Sequence, residues 1–118
     1  MTGITRHEVD GIPVVEVSGE VDDGSSDDVR TAVAAAVDDC PTCVLDLTGV
    51  TFLNPAGLTA LVTTSWQAIA RRGRLRIVVD GNRTVIRPLE ITGLDEALTL
   101  HHSVEEALAA EERAAQAR

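Results

Sequence analysis

The stretch VLDLTGVTFLNPAGL, residues 44–58, decides the fold of this chain. It overlaps a short, mostly apolar run, Cys43–Leu47, which is typical of a buried strand. Asn54 is a favourable helix N-cap, and Pro55 occupies the first helical position, where its missing N–H costs nothing. Apolar residues then recur at helical spacing, at Leu58, Leu61, Val62 and Ile69, with Trp66 extending the same face. The stretch therefore predicts a buried strand followed by a helix whose apolar face enters the core.

The segments upstream predict a hairpin and a first helix. Asp10-Gly11 separates the strand-like runs Ile4–Val9 and Ile12–Ser18, and this dipeptide is a strong signal for a type I′ hairpin turn. Ser25, with Asp28 three residues later, resembles a capping box. The helix that it opens carries an apolar stripe of Val29, Ala32, Val33, Ala36 and Val37.

The segments downstream continue the alternation. They are a buried strand Leu75–Val79, a helix of about residues 83–92, a short strand Ala97–Leu100 and a last helix that Ser103 and Glu106 cap. Pro88 removes an interior hydrogen bond, so its helix must kink or start later. The order ββαβαβαβα predicts an α/β fold with about four helices. Its sheet should be mixed and mostly parallel, opened by the hairpin.

Composition limits the function. The 118 residues carry 10 basic and 19 acidic side chains, a net charge of −9, and every basic residue is arginine. An acidic chain with 2% aromatic residues does not suit nucleic-acid binding, which needs clustered cations and stacking rings. The uncharged segment 47–70 is interrupted by polar residues, so we expect no membrane insertion. The N-terminus shows no apolar signal region, so we expect one cytoplasmic domain with free thiols.

Candidate reactive residues are few. Cys40-Pro-Thr-Cys43 resembles a redox CxxC motif, but it lies between a helix end and a strand, so we favour structural cysteines with Cys43 in the core. A zinc site would need two further ligands, and only His7 or the pair His101-His102, directly after the last strand, could supply them. The acidic pairs at 22–23, 27–28 and 38–39 fit a solvated rim. Without a phosphate-binding glycine loop or a catalytic constellation, we expect no enzyme, cofactor or metal.

Three segments together resemble STAS domains, the bacterial anti-sigma factor antagonist family. Gly19-Glu20-Val21-Asp22 looks like the family's GE[LV]D motif, and residues 44–58 resemble its strand–loop–helix signature, usually VLDLSGVxFIDSSGL. Thr92-Gly93-Leu94 matches the later SGL turn. The resemblance covers about residues 4–110 and implies that residues 1–118 form a single STAS domain whose C-terminal helix frays.

The resemblance implies a binding function. Such antagonists bind an anti-sigma factor, often a serine-kinase-like ATPase, and thereby release a sigma factor for transcription. The kinase inactivates the antagonist by phosphorylating a serine of the DSSG segment, which adds about −1.5 to −2 charges to the docking surface. Here that segment is Asn54-Pro55-Ala56-Gly57, so the phosphoacceptor position is Ala56, which has no hydroxyl.

Two hypotheses follow for regulation. In the first, the chain is locked in its binding-competent state and docks through the residues Asp22, Asp23, Asn54, Pro55, Ala56, Gly57, Thr59 and Thr63, with Gln67 further along the same helix face. In the second, Thr59 or Thr51 replaces the missing acceptor, with Thr51 the weaker candidate because we expect it to support the loop.

Two further functions stay open. The chain could be a STAS scaffold subunit of a larger assembly, such as a signalling complex or a lipid-transport ATPase. It could also be a redox-responsive antagonist in which Cys40 and Cys43 form a disulfide.

Overall fold

The computed structural model describes residues 2–117, which form five strands and four α-helices. In chain order these are β1 Thr2–Val9, β2 Ile12–Val21, α1 Ser26–Asp39, β3 Cys43–Leu53, α2 Pro55–Ala70, β4 Leu75–Val78, α3 Arg83–Thr92, β5 Thr99–His101 and α4 Val104–Gln116. A short 3₁₀ helix, Leu94–Glu96, precedes β5. The predicted order ββαβαβαβα is confirmed.

The opening hairpin forms at the predicted turn. Asp10 has φ 53° and Gly11 has φ 80°, and positive φ at both central residues is the geometry that a type I′ turn requires. The turn pairs β1 with β2 in antiparallel register, with Val9 opposite Ile12. The sheet is therefore mixed, as predicted, because all its other pairings are parallel.

The strands lie in the order β1-β2-β3-β4-β5. Right-handed crossovers that all advance in one direction place their helices on one face of the sheet, so α1, α2 and α3 share a face. The larger core lies beneath them and includes Val33, Leu45, Leu61, Ile77 and Leu89. Helix α4 covers part of the opposite face, where Val14, Val44, Val78 and Ala107 form a smaller core.

A buried ion pair joins α4 to the sheet. Arg76 on β4 and Glu111 on α4 are each 6% exposed, and Arg76 Nη2 lies 3.3 Å from Glu111 Oε2. The two charges are paired in a buried environment, where an unpaired charge would destabilise the fold. Arg76 points away from the larger core because side chains alternate between the two faces of a strand.

Helix α2 is rotated relative to the sequence prediction. Its buried residues are Gly57, Ala60, Leu61, Thr64, Ser65 and Ala68. Of the predicted apolar face, Leu61 is buried and Leu58 and Val62 are half-buried, but Ile69 is 53% and Trp66 63% exposed. The prediction was wrong for Trp66 and Ile69, because the small residues of α2 form the side that lies against the sheet.

Other strand boundaries also differ from the predictions. Strand β3 continues through Thr51, which therefore lies in a strand and not in a loop. The last strand, β5, begins later than predicted, because the N–H of Leu98 donates to the carbonyl of Leu94 at 3.1 Å in the 3₁₀ turn. It also ends later than predicted, so it includes His101. Helix α3, by contrast, has its predicted bounds, Arg83–Thr92, with Pro88 inside it, and Gly93, with φ 75°, ends it as predicted.

Candidate functional site

Two loops meet at one edge of the sheet. Strands β2 and β3 are parallel neighbours, and their last residues, Val21 and Leu53, lie opposite each other. The loops that follow parallel strands emerge at the same edge, where α/β proteins usually place their binding residues. The N–H of Asn54 donates to the carbonyl of Val21 at 3.0 Å. The segments 22–25 and 54–57 are therefore adjacent, as a shared site requires.

The β2–α1 loop is closed by Asp22. Its Oδ1 accepts hydrogen bonds from the N–H groups of Gly24 at 3.0 Å and Ser25 at 3.1 Å, and it lies 3.0 Å from the Ser25 hydroxyl. The hydrogen bond from the Ser25 hydroxyl favours the ionised form and lowers the pKa of Asp22. The carboxylate is exposed, so the loop presents a fixed negative charge to solvent.

Ser25 does not form the predicted capping box. Its hydroxyl accepts from the N–H of Asp22 at 2.9 Å and makes no hydrogen bond to the first turn of α1. Ser25 has helical dihedral angles, φ −108° and ψ −16°, in place of the extended conformation usual at an N-cap. The serine therefore stabilises the loop and not the helix.

Asn54 links the two loops. Its Oδ1 accepts from the N–H of Gly57 at 2.7 Å, which confirms the predicted N-cap, and its Nδ2 donates to Asp23 Oδ1 at 2.6 Å. Gly57 is buried, and a Cβ there would lie 2.6 Å from Leu53 Cδ1 and 2.9 Å from Val21 Cγ1. Asn54 and Gly57 are thus enclosed and set the geometry of the site, whereas Asp23 is exposed.

The exposed side of α2 lines a groove against α1. Ala56, Thr59 and Thr63 form one wall, Ser26, Asp27 and Arg30 form the other, and the groove has a volume of about 330 Å³. The Thr59 hydroxyl donates to the carbonyl of Pro55 at 3.1 Å. Pro55 and Gln67 are also exposed. The groove is open to solvent and mixes small and polar side chains, unlike the enclosed, mostly apolar clefts that bind small ligands.

Sequence reasoning missed two contributions to this surface. Asp27 and Arg30 form an ion pair at 3.4 Å on the α1 wall, and their i, i+3 spacing is the signal that could have revealed it. Trp66, expected in the core, lies exposed on α2 seven residues after Thr59 and three after Thr63. An exposed tryptophan next to polar residues is common in protein interfaces.

The cysteines lie at the other end of β3. Cys43 is fully buried, and this burial raises the pKa of its thiol to about 12. Cys40 is half-buried, and both thiols are free. A thiolate is the reactive form of cysteine, so Cys43 is held in its unreactive state. The prediction that Cys43 enters the core is confirmed.

His101 lies beneath α4, away from the two loops. Its Nε2 is 3.3 Å from Arg76 Nη1 and its Nδ1 is 3.5 Å from Glu106 Oε1. Burial, reinforced by the positive charge of Arg76, lowers the pKa of His101. His102 is exposed. Within residues 2–117, no three His, Cys, Asp or Glu side chains are grouped to hold a metal ion, and no helix is long and apolar enough to span a membrane.

Comparison with known proteins identifies the family. The STAS domain matches residues 4–107, so the chain belongs to the STAS domain family. Anti-sigma-F factor antagonist RsfB from Mycobacterium tuberculosis is 32% identical over 106 residues, covering 89% of this chain and 85% of that protein. The anti-sigma F factor antagonist of Paenibacillus polymyxa is 30% identical over 100 residues, covering 83% and 85%.

A solved structure supports the same assignment. The crystal structure of an anti-sigma factor antagonist from Mycobacterium paratuberculosis superposes with a TM-score of 0.83 at 32% sequence identity. The match covers 93% of each chain. The family assignment therefore holds in sequence and in three dimensions.

Proposed function

We propose that this STAS protein is an anti-sigma factor antagonist, which binds an anti-sigma factor and so releases a sigma factor for transcription. Three similar proteins that carry this name, two related by sequence and one by structure, support the proposal. The observation that carries it is the joined pair of loops, in which the 2.6 Å hydrogen bond from Asn54 to Asp23 holds an acidic loop against the start of α2.

The docking surface that we propose combines an acidic loop, the first turn of α2 and the exposed side chain of Trp66 as an apolar anchor. Asp22 and Asp23 supply the acidic part, and Pro55 and Ala56 form the exposed first turn of α2. The exposed residues Thr59, Thr63 and Trp66 extend the surface along the helix. Asn54 and Gly57 lie beneath these exposed residues and hold them in this arrangement. Such a surface acts by binding alone, so we propose no catalytic activity for it.

The first turn of α2 also bears on regulation. The resemblance to the DSSG segment implies that position 56 is the family's phosphoacceptor position, and alanine cannot accept a phosphoryl group. We propose that the protein stays competent for binding and that another signal, such as its abundance, controls it. A partner of the serine-kinase-like ATPase type would then bind without inactivating it at this position.

Binding to the purified anti-sigma factor tests the docking surface. Ala56→Glu should weaken binding more than tenfold, because a charge brought into a desolvated contact costs several kcal/mol. Ala56→Ser should bind as the unmodified chain does, and Ala35→Glu, at an exposed alanine of α1, is the matched control. The emission of Trp66, the single tryptophan of the chain, should shift on binding. Equal affinities for Ala56→Glu and Ala35→Glu would exclude this surface.

An alternative acceptor is tested by intact mass after incubation with a kinase-type partner and ATP. Thr59 and Thr51 are both exposed, and Thr59 lies one turn after the alanine. We expect no added phosphoryl group on the unmodified chain and one on Ala56→Ser. A phosphoryl group that disappears in Thr59→Ala would instead assign the regulatory role to Thr59.

The buried state of Cys43 supports a structural role for the CxxC motif. A disulfide with Cys40 would require the Cys43 thiol to ionise, and burial raises its pKa to about 12. Partner affinity should therefore be the same under reducing and mildly oxidising conditions. A change in affinity on oxidation would point instead to redox control.

A further inference from the structure

A second groove lies on the opposite face of the sheet, between α4 and the tip of the β1–β2 hairpin. It has a volume of about 580 Å³. The half-buried side chains of Ile12 and Leu108 give it an apolar floor, and both pack against the smaller core. Ala109 and Ala115 also line it, and their small side chains allow another backbone to approach closely. This groove shares no residue with the groove between α1 and α2.

The rim of this groove is acidic. Asp10 at the hairpin tip and Glu105 and Glu112 on α4 line it, and all three are exposed. Glu105 and Glu112 are seven residues apart, so they lie two turns apart on the same side of α4. Among residues 2–117, no arginine lines the groove. An apolar floor with acidic edges is therefore complementary to an amphipathic segment that carries cations on both sides of an apolar stripe.

We propose that the groove between α4 and the hairpin tip is a second docking surface, and that its occupant is a cationic amphipathic helix of a partner protein. The charge pattern disfavours other occupants. A second copy bound about a two-fold axis would bring two acidic rims together, on chains that each carry a net charge of −9. A membrane with anionic lipids would meet the same repulsion. The proposal stands independently of the antagonist function, because the two surfaces lie on opposite faces of the sheet.

The test uses a fluorescein-labelled, 18-residue Leu/Lys amphipathic peptide as a probe, with a Leu/Glu peptide of the same pattern as its counterpart. Fluorescence polarisation is measured at about 150 mM salt, where attraction beyond about 8 Å is largely screened. We expect the Leu/Lys peptide to bind and the Leu/Glu peptide not to bind. The double variant Glu105→Gln/Glu112→Gln should weaken binding at least about threefold, as expected for losing two partly exposed ion pairs.

The matched control removes the same number of charges elsewhere. Asp28 and Glu96 are exposed outside this groove, so Asp28→Asn/Glu96→Gln should bind the peptide as the unmodified chain does. Ala56→Glu should also leave peptide binding unchanged, which separates this proposal from the antagonist function. Hydrogen exchange should show protection along α4 on binding. If Glu105→Gln/Glu112→Gln and Asp28→Asn/Glu96→Gln weakened peptide binding equally, the proposal would be overturned, because the peptide would then be attracted to the acidic chain in general.

Two other outcomes would also overturn it. Sedimentation could show a dimer that the rim substitutions Glu105→Gln/Glu112→Gln alter, which would assign the groove to a second copy. Binding to vesicles that contain an anionic lipid, lost in the same variant, would assign it to a membrane surface.

Discussion

Replacing Asn54 with aspartate should destabilise the protein, although the new side chain has nearly the same shape and still caps α2. The amide of Asn54 donates to Asp23 Oδ1 at 2.6 Å, and a carboxylate at position 54 would offer an acceptor where a donor is needed. A hydrogen bond to a charged group contributes about 1.5–3 kcal/mol. Because Asp23 is exposed, we take the lower value of about 1.5 kcal/mol.

Two smaller effects adjust this value. Repulsion between two carboxylates about 4 Å apart in water adds about 1 kcal/mol. A negative charge at a helix N-terminus recovers about 0.3–1 kcal/mol. The net loss for Asn54→Asp is therefore about 1.5–2.2 kcal/mol. With a urea dependence of about 1–3 kcal/mol per molar, the unfolding midpoint should fall by roughly 1 M at pH 7.

A compensating substitution provides the control. In the double variant Asn54→Asp/Asp23→Asn the donor and acceptor exchange places, so the hydrogen bond can form again without two adjacent carboxylates. Its midpoint should recover most of the loss. The reasoning would be refuted if Asn54→Asp unfolded at the same urea concentration as the unmodified chain, or if the double variant were no more stable than the single one.

Three further predictions follow from local geometry. Gly57→Ala should lower the free energy of unfolding by about 1–3 kcal/mol, because its Cβ would overlap the buried side chain of Val21 and the half-buried side chain of Leu53, and a urea melt without any shift would contradict this. In native protein at pH 7.5, a thiol reagent should modify Cys40 but not Cys43, whose pKa is about 12, and denaturant should expose the second thiol; equal native rates would disprove the assignment. Because the pKa of His101 is lowered from 6.5, its protonation favours the unfolded state, so stability is full above about pH 6.5 and falls on acidification. His101→Gln should reduce this loss of stability between pH 7.5 and 5.5, as measured by urea melts at the two pH values, and His102→Gln should not.

Features that depend on neighbouring residues could be predicted from the sequence. Asp10-Gly11 specifies its own turn because the required φ angles are local, and Asn54-Pro55 starts α2 because the cap bond reaches only to Gly57. The mixed, mostly parallel sheet followed from the opening hairpin and from the alternation of strands and helices. The motifs at the ends of β2 and β3 also marked where the candidate site lies.

Features that depend on distant segments could not be predicted in this way. The rotation of α2 depends on how closely Gly57 approaches Leu53 and Val21, so the exposure of Trp66 required the packed structure. The hydrogen bond between Asn54 and Asp23 spans 31 positions and forms only after β2 and β3 pair in register.

The strand order β1-β2-β3-β4-β5 is also the order in which a ribosome makes the strands. Each new strand pairs with the strand made just before it, so no gap in the sheet has to be held open for a later segment. Both loops of the candidate site precede β4 in the chain, and the contacts that join them involve only the first two parallel strands and the start of α2. The parts of the docking surface are therefore all synthesised before the second half of the sheet.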